Sequence, residues 1–136
     1  MFCLETKAHQ GNIYGGLKSR NWKQYLGRSK YDLYNPIKQN KHHVNSLEQL
    51  LRSRLKVPIH SYVVFPYARN IKVDGHKKDF SIRHTIARIL NHDRIVYTPE
   101  DVEAMAKGLA LVSSHADNYS DDHIDAVKEF VSSRRK

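Results

Sequence analysis

Cysteine is nearly absent: Cys3 stands alone in 136 residues, which excludes an internal disulfide and any zinc cage built on cysteines. Long apolar runs are missing too. The longest, around Ala110-Leu111-Val112, falls far short of the ~18 residues a membrane span needs. No basic segment followed by a long apolar stretch opens the chain, so nothing reads as a secretory leader, and a cytoplasmic setting is expected. There is no glycine-rich phosphate loop and no serine nucleophile elbow. Histidine is plentiful but scattered: His9, His60, His76, His84, His92, His115 and His123 show no His-x-x-x-His spacing of the kind zinc requires. Asp121, Asp122 and Asp125 lack the glycine and terminal glutamate of a calcium loop, and read instead as acids at a helix N-terminus.

Acidic residues are scarce in the first part of the chain. Residues 1–60 carry 11 Lys and Arg against 3 Asp and Glu, a net +8; residues 61–96 carry +4 and the last 40 carry −3. A basic body with an acidic end suits a polyanion, and nucleic acid is the commonest one. Aromatic residues are interleaved with the basic ones. Tyr14, Trp22, Tyr25, Tyr31 and Tyr34 lie among Lys18, Arg20, Lys23, Arg28 and Lys30, a mixture able to hold phosphates and stack on bases. The competing reading is that aromatics in strands are core residues. Composition is otherwise that of a globular protein, and 136 residues fit a single domain.

Alternation marks residues 2–7 as a strand, and the glycines at 11 and 15–16 punctuate a second, 12–14, as its hairpin partner. A third strand, 22–26, ends at the turn Gly27-Arg28-Ser29. The period then changes. Asn35-Pro36 is a capping side chain followed by proline at the first helical position, and Ile37, Val44, Leu47, Leu51 and Leu55 follow at helical spacing up to Pro58. The run within 59–65 suits a buried strand. Weaker strands are expected over 70–73 and 94–97, with a helix over 80–90 between them. Thr98-Pro99-Glu100-Asp101 opens a helix whose apolar face is Val102, Met105, Leu109 and Val112. A last helix begins at Ser120 with Ile124, Val127 and Phe130 inward.

The chemistry sits at the beginning. Residues two apart on a strand share a face, so Glu5 and Lys7 project side by side. A carboxylate is a hard ligand for Mg²⁺, and a neighbouring ammonium can neutralise a phosphate oxygen or orient a water. An acid-x-Lys triplet alone also occurs by chance about once in such a chain, as a surface charge pair. Its surroundings are more specific. Leu4-Glu5-Thr6-Lys7, Gly11-Asn12-Ile13-Tyr14-Gly15, Trp22-Lys23-Gln24, Tyr34-Asn35-Pro36-Ile37-Lys38-Gln39-Asn40 and His43 follow in order, and an apolar strand reaches Phe65. This succession resembles the nuclease-related domain (NERD) family, a relative of the restriction-endonuclease-like superfamily. Roughly half the chain carries the resemblance.

The resemblance implies an α/β fold, a mixed sheet flanked by helices, with two C-terminal helices. Residues 1–66 would be the motif-bearing core and 67–136 a family-like remainder of one domain. It implies metal-dependent hydrolysis of DNA phosphodiester bonds with Mg²⁺ or Mn²⁺, Glu5 as metal ligand, Lys7 as catalytic lysine and Gln39 beside them. Lys18, Arg20, Lys23, Arg28, Lys30, Lys38, Asn40 and His43 are the candidate nucleic-acid contacts, with Asn40 and His43 expected on one helix face. For His43, a capping or packing role is the competing reading, and His42 reads as its solvated neighbour. The family carries further acids upstream of the acid-x-Lys strand, on a preceding helix and strand. Their lack in this chain implies a truncated fold, an incomplete acidic site and impaired cleavage. Asp32 and Glu48, the nearest other acids, read as a loop residue and a solvated helix residue. A first strand without its outer partner would be an exposed edge open to homodimerisation. Two other functions stay open: a non-catalytic nucleic-acid-binding module, and an interaction fragment with no ligand.

Overall fold

The computed structural model describes residues 1–51, 58–75, 79–111 and 113. The chain divides into two compact units, Met1–Asp93 and Arg94–Lys136. The first is a mixed α/β assembly in the order β1 (Phe2–Thr6), β2 (Gly11–Gly16), β3 (Asn21–Leu26), β4 (Ser29–Tyr34), α1 (Pro36–Leu51), β5 (His60–Val64), β6 (Ala68–Asp74) and α2 (Ile82–Leu90). Among the described residues the second unit contains a helix, α3, over 99–111. No helix among the described residues is long and apolar enough to cross a membrane.

The strands form two sheets. In one, β1 runs parallel to β5, pairing Glu5 with Val63. In the other, the order is β4-β3-β2-β6, with β2 antiparallel to β3 and parallel to β6. The expected hairpin of the first two strands is therefore absent. Its glycine punctuation has another cause: Gly15 sits where a Cβ would penetrate the Trp22 indole, so bare backbone is the condition for the tryptophan to pack. The β3–β4 hairpin does turn on a glycine. Gly27 has φ +60°, and the two residues between paired Leu26 and Ser29 make a turn of the II′ kind. Strand β4 was not anticipated, because only Leu33 on it is buried and the apolar alternation is lost.

The core is Ile13, Trp22, Leu33, Val63, Phe65, Val73 and Phe80. Trp22 is fully buried, stacked on Phe65 at 6.3 Å and edge-on to Phe80 at 5.9 Å, so it belongs to the core and not to a base-stacking surface. Helix α1 packs against β1 and β5. Its start is as the sequence indicates: Asn35 Oδ1 accepts from the backbone N–H groups of Ile37 (3.0 Å) and Lys38 (3.3 Å). The Asn35 amide also donates to the carbonyls of Gly16, Leu17 and Ser19, tying the helix to the β2–β3 loop.

The other expected elements are partly met. Helix α2 starts at the cap Ser81, whose hydroxyl accepts from His84 N–H. Helix α3 opens on a reciprocal box: Thr98 Oγ1 accepts from Asp101 N–H and Asp101 Oδ2 from Thr98 N–H. On α3 Met105 is buried, but Val102 is 53% exposed, which corrects its place on an apolar face. Residues 94–97 form no strand, and Ile95 there is 91% exposed. Leu55, Val112 and the last helix from Ser120 lie outside the described residues.

Three rings meet on the far face of β1. Phe2 lies 5.4 Å from both His60 and His92, and the two imidazoles are 4.7 Å apart. Burial holds the His60 pKa below its ordinary 6.5, and His92, the N-terminal ammonium and Arg88 add to that. A histidine with a lowered folded pKa binds a proton more readily when unfolded, so its contribution to stability is full above 6.5 and lost as pH falls below it. We expect the melting temperature to fall between pH 7.5 and 5.5, and His60→Asn to reduce that slope. An identical slope in the variant would contradict this.

Candidate active site

The register of β1 turns Cys3 and Glu5, and Lys7 just beyond its end, toward one side. The Lys7 N–H still donates to the Val64 carbonyl at 2.8 Å, so the extended backbone continues through it. Helix α1 crosses above this side, held by a residue that the sequence reading put elsewhere. Asn40 is fully buried and its amide donates to the Cys3 carbonyl (3.0 Å), Ser61 Oγ (2.8 Å) and the Tyr62 carbonyl (3.0 Å). Cys3 Sγ donates to Asn40 Oδ1 at 3.2 Å. These bonds bolt the helix to β1 and β5 together. Asn40 is thus an internal clamp and not a nucleic-acid contact.

With the helix so placed, Gln39 and His43, one turn apart, face Glu5 and Lys7. Lys7 Nζ lies 2.9 Å from Glu5 Oε1 and donates to Gln39 Oε1 at 2.8 Å. His43 Nδ1 lies 3.1 Å from Glu5 Oε2. The glutamate is buried at 8% exposure, the Lys7 side chain is 17% exposed and the His43 side chain 52%, so the cluster is open to solvent on its His43 side. Glu5 and Lys7 are accordingly not a surface charge pair, and His43 is not a cap. It shares its face with Gln39 rather than Asn40. His9, one of the scattered histidines, follows β1 in the connection to β2. It is half-buried, and burial first, then the Lys7 ammonium, hold its pKa below the ordinary value.

The candidate basic contacts are spread over several elements. Lys18 and Arg20 are exposed in the β2–β3 loop and Arg28 in the β3–β4 turn. Lys38 Nζ donates to the Lys18 carbonyl at 2.8 Å, which directs it away from the Glu5 cluster. Lys23 and Lys30 are on the outward side of the second sheet, Lys23 paired with Asp32 and Lys30 lying 5.6 Å from the centre of the Tyr25 ring. Asp32 is thereby a strand residue, not a loop residue, while Glu48 is exposed on α1 as expected.

The donor set bears on a metal. Among the described residues no three His, Cys, Asp or Glu side chains converge in a way that could hold an ion. What Glu5 offers is one nearly dehydrated carboxylate, with the Gln39 amide oxygen and the His43 imidazole around it. That fits Mg²⁺ in its usual mode, one or two protein carboxylates with substrate phosphate and water completing the octahedron.

Comparison with known proteins bears on the same residues. Residues 1–66 match the nuclease-related domain family. A protein of Bacillus anthracis, itself described as uncharacterized, is 35% identical over 80 residues, or 58% of this chain and 37% of that protein. The chain thus spans well under half the length of the curated relative it matches. No solved structure matches it significantly. The acid-x-Lys strand, the helix that bears Gln39 and the strand below them all fall within the segment of this chain that matches the nuclease-related domain family.

Proposed function

We propose that this chain hydrolyses DNA phosphodiester bonds in a metal-dependent reaction at the Glu5–Lys7–Gln39 cluster. The observation that carries this reading is one ammonium, Lys7, lying 2.9 Å from a buried carboxylate and 2.8 Å from an amide oxygen, in a cluster open to solvent on one side. Glu5 would hold Mg²⁺ or Mn²⁺, which when bound supplies a Lewis acid beside the phosphate. Lys7 Nζ stands between Glu5 Oε1 and Gln39 Oε1. From that position it neutralises a non-bridging phosphate oxygen as the attacking water adds negative charge to the phosphoryl group. Gln39 orients Lys7 by accepting its hydrogen bond, and its N–H groups are left to position water or phosphate. His43, on the open side, is placed to meet incoming substrate.

A second reading, binding without cleavage, is favoured by one observation. The described residues supply a single carboxylate and no three-ligand cluster. One experiment separates the two: a plasmid or labelled duplex is incubated with Mg²⁺ or Mn²⁺, with chelator, and with Glu5→Gln. Cleavage abolished by chelator and by Glu5→Gln is the expected result. Salt-sensitive binding with no cleavage in either metal would leave the binding module as the function.

A further inference from the structure

The four-stranded sheet has a second face, turned away from the core. Pairing of Asn12 with Tyr25, Tyr14 with Lys23, Tyr25 with Lys30 and Asn21 with Tyr34 places one tyrosine from each of β2, β3 and β4 on it. Tyr14, Tyr25 and Tyr34 are 39%, 37% and 42% exposed. Tyr14 and Tyr25 meet edge to face at 5.5 Å. Two of the three rings are adjoined by lysines on the same face: Lys23 and Lys72 lie across from Tyr14 on either side, and Lys30 lies over Tyr25. A depression of about 390 Å³ runs beside Tyr14 over Gly15 and Gly16, with Lys23 and Lys72 in its walls. Asp32 and Asp74 share the face, and Asp32 is paired with Lys23.

We propose that this face binds single-stranded nucleic acid, with bases stacked on Tyr14, Tyr25 and Tyr34 and phosphates held by Lys23, Lys30 and Lys72. Aromatic rings left in solvent gain little unless they stack, and every base offers a π-face to a ring. The lysines beside the rings supply the charge a polyanion needs, on a chain whose first 60 residues carry +8. A duplex keeps its base faces covered and would meet this flat surface only through phosphates, so single strands are the preferred ligand. This surface shares no residue with the Glu5 cluster and does not rest on the catalytic reading.

Fluorescence anisotropy with labelled oligo-dT and oligo-rU tests it on the full chain. Tyr14→Leu/Tyr25→Leu should weaken binding by about tenfold or more per ring, while Tyr14→Phe/Tyr25→Phe stays within about twofold, because stacking needs the ring and not the hydroxyl. Lys72→Gln should lower the salt slope. Tyr34→Leu provides an arm independent of the Tyr14–Tyr25 pair, and a thermal melt accompanies each variant. Leucine variants that melt like the parent and bind as tightly would overturn the proposal, as would an equal loss in the phenylalanine variants. A duplex that displaces oligo-dT at equal concentration would overturn it as well. The dT and rU arms differ only if the sugar is read in addition.

Discussion

Lys7→Met is expected to reduce metal-dependent cleavage by at least about a hundredfold while DNA binding persists. The methionine keeps the length of the apolar stem but removes the donor that stands between Glu5 Oε1 and Gln39 Oε1. In the ground state that donor only neutralises Glu5. As phosphate charge grows it becomes the nearest ammonium, so its loss should appear in kcat more than in KM. Lys7→Arg should recover little, because a planar guanidinium on a longer stem does not fit a point-charge position enclosed by two side chains. Single-turnover cleavage of a labelled duplex in Mg²⁺, read beside binding in Ca²⁺, makes the measurement. Full cleavage by Lys7→Met would remove Lys7 from the chemistry and with it the proposed site.

The second large effect is on stability. Asn40→Ala should cost about 3–5 kcal/mol, and unfolding in urea is the measurement. The amide serves three acceptors from β1 and β5, and the side chain is fully buried, so no water is at hand to replace it. Alanine leaves the part-buried Cys3 and Tyr62 carbonyls without their donor, at about 1–3 kcal/mol each, together with a small void. Asn40→Asp should be worse at neutral pH, because a carboxylate would face the Cys3 and Tyr62 carbonyls with no hydrogen to give. A loss below about 1 kcal/mol for the alanine variant would show that α1 is held by other contacts. If the clamp is what sets Gln39 above Lys7, Asn40→Ala should lower cleavage even where the protein stays folded.

These two residues also show how differently parts of the site were encoded. Glu5 and Lys7 were legible because a strand has a period of two, and Gln39 because it stands in an ordered run of motifs shared with a family. Asn40 stands in that same run, and its role could not be read from it. An asparagine on a helix looks the same whether its amide faces solvent or two carbonyls 37 and 22 positions away in the chain. His43 was read as a candidate nucleic-acid contact and His9 was discounted for lack of metal-ligand spacing, and the fold sets the first beside Glu5 and the second within electrostatic reach of Lys7.

Local chemistry alone determined a good deal. The cap at Asn35-Pro36, the reciprocal box at Thr98 and Asp101, the hairpin glycine at position 27 and the buried strand before Phe65 are each decided by neighbours within a few residues. Their energies are local, so sequence pattern suffices to read them. Strand partnership was decided only in three dimensions. Nothing in the alternation of residues 2–7 states whether the next strand or one more than fifty residues away lies alongside, since both bury the same face. The pairing of β5 with β1 goes with Asn40, which joins those two strands under one helix. Those are long-range contacts, and they turned an ambiguous Glu-x-Lys triplet into a half-enclosed cluster.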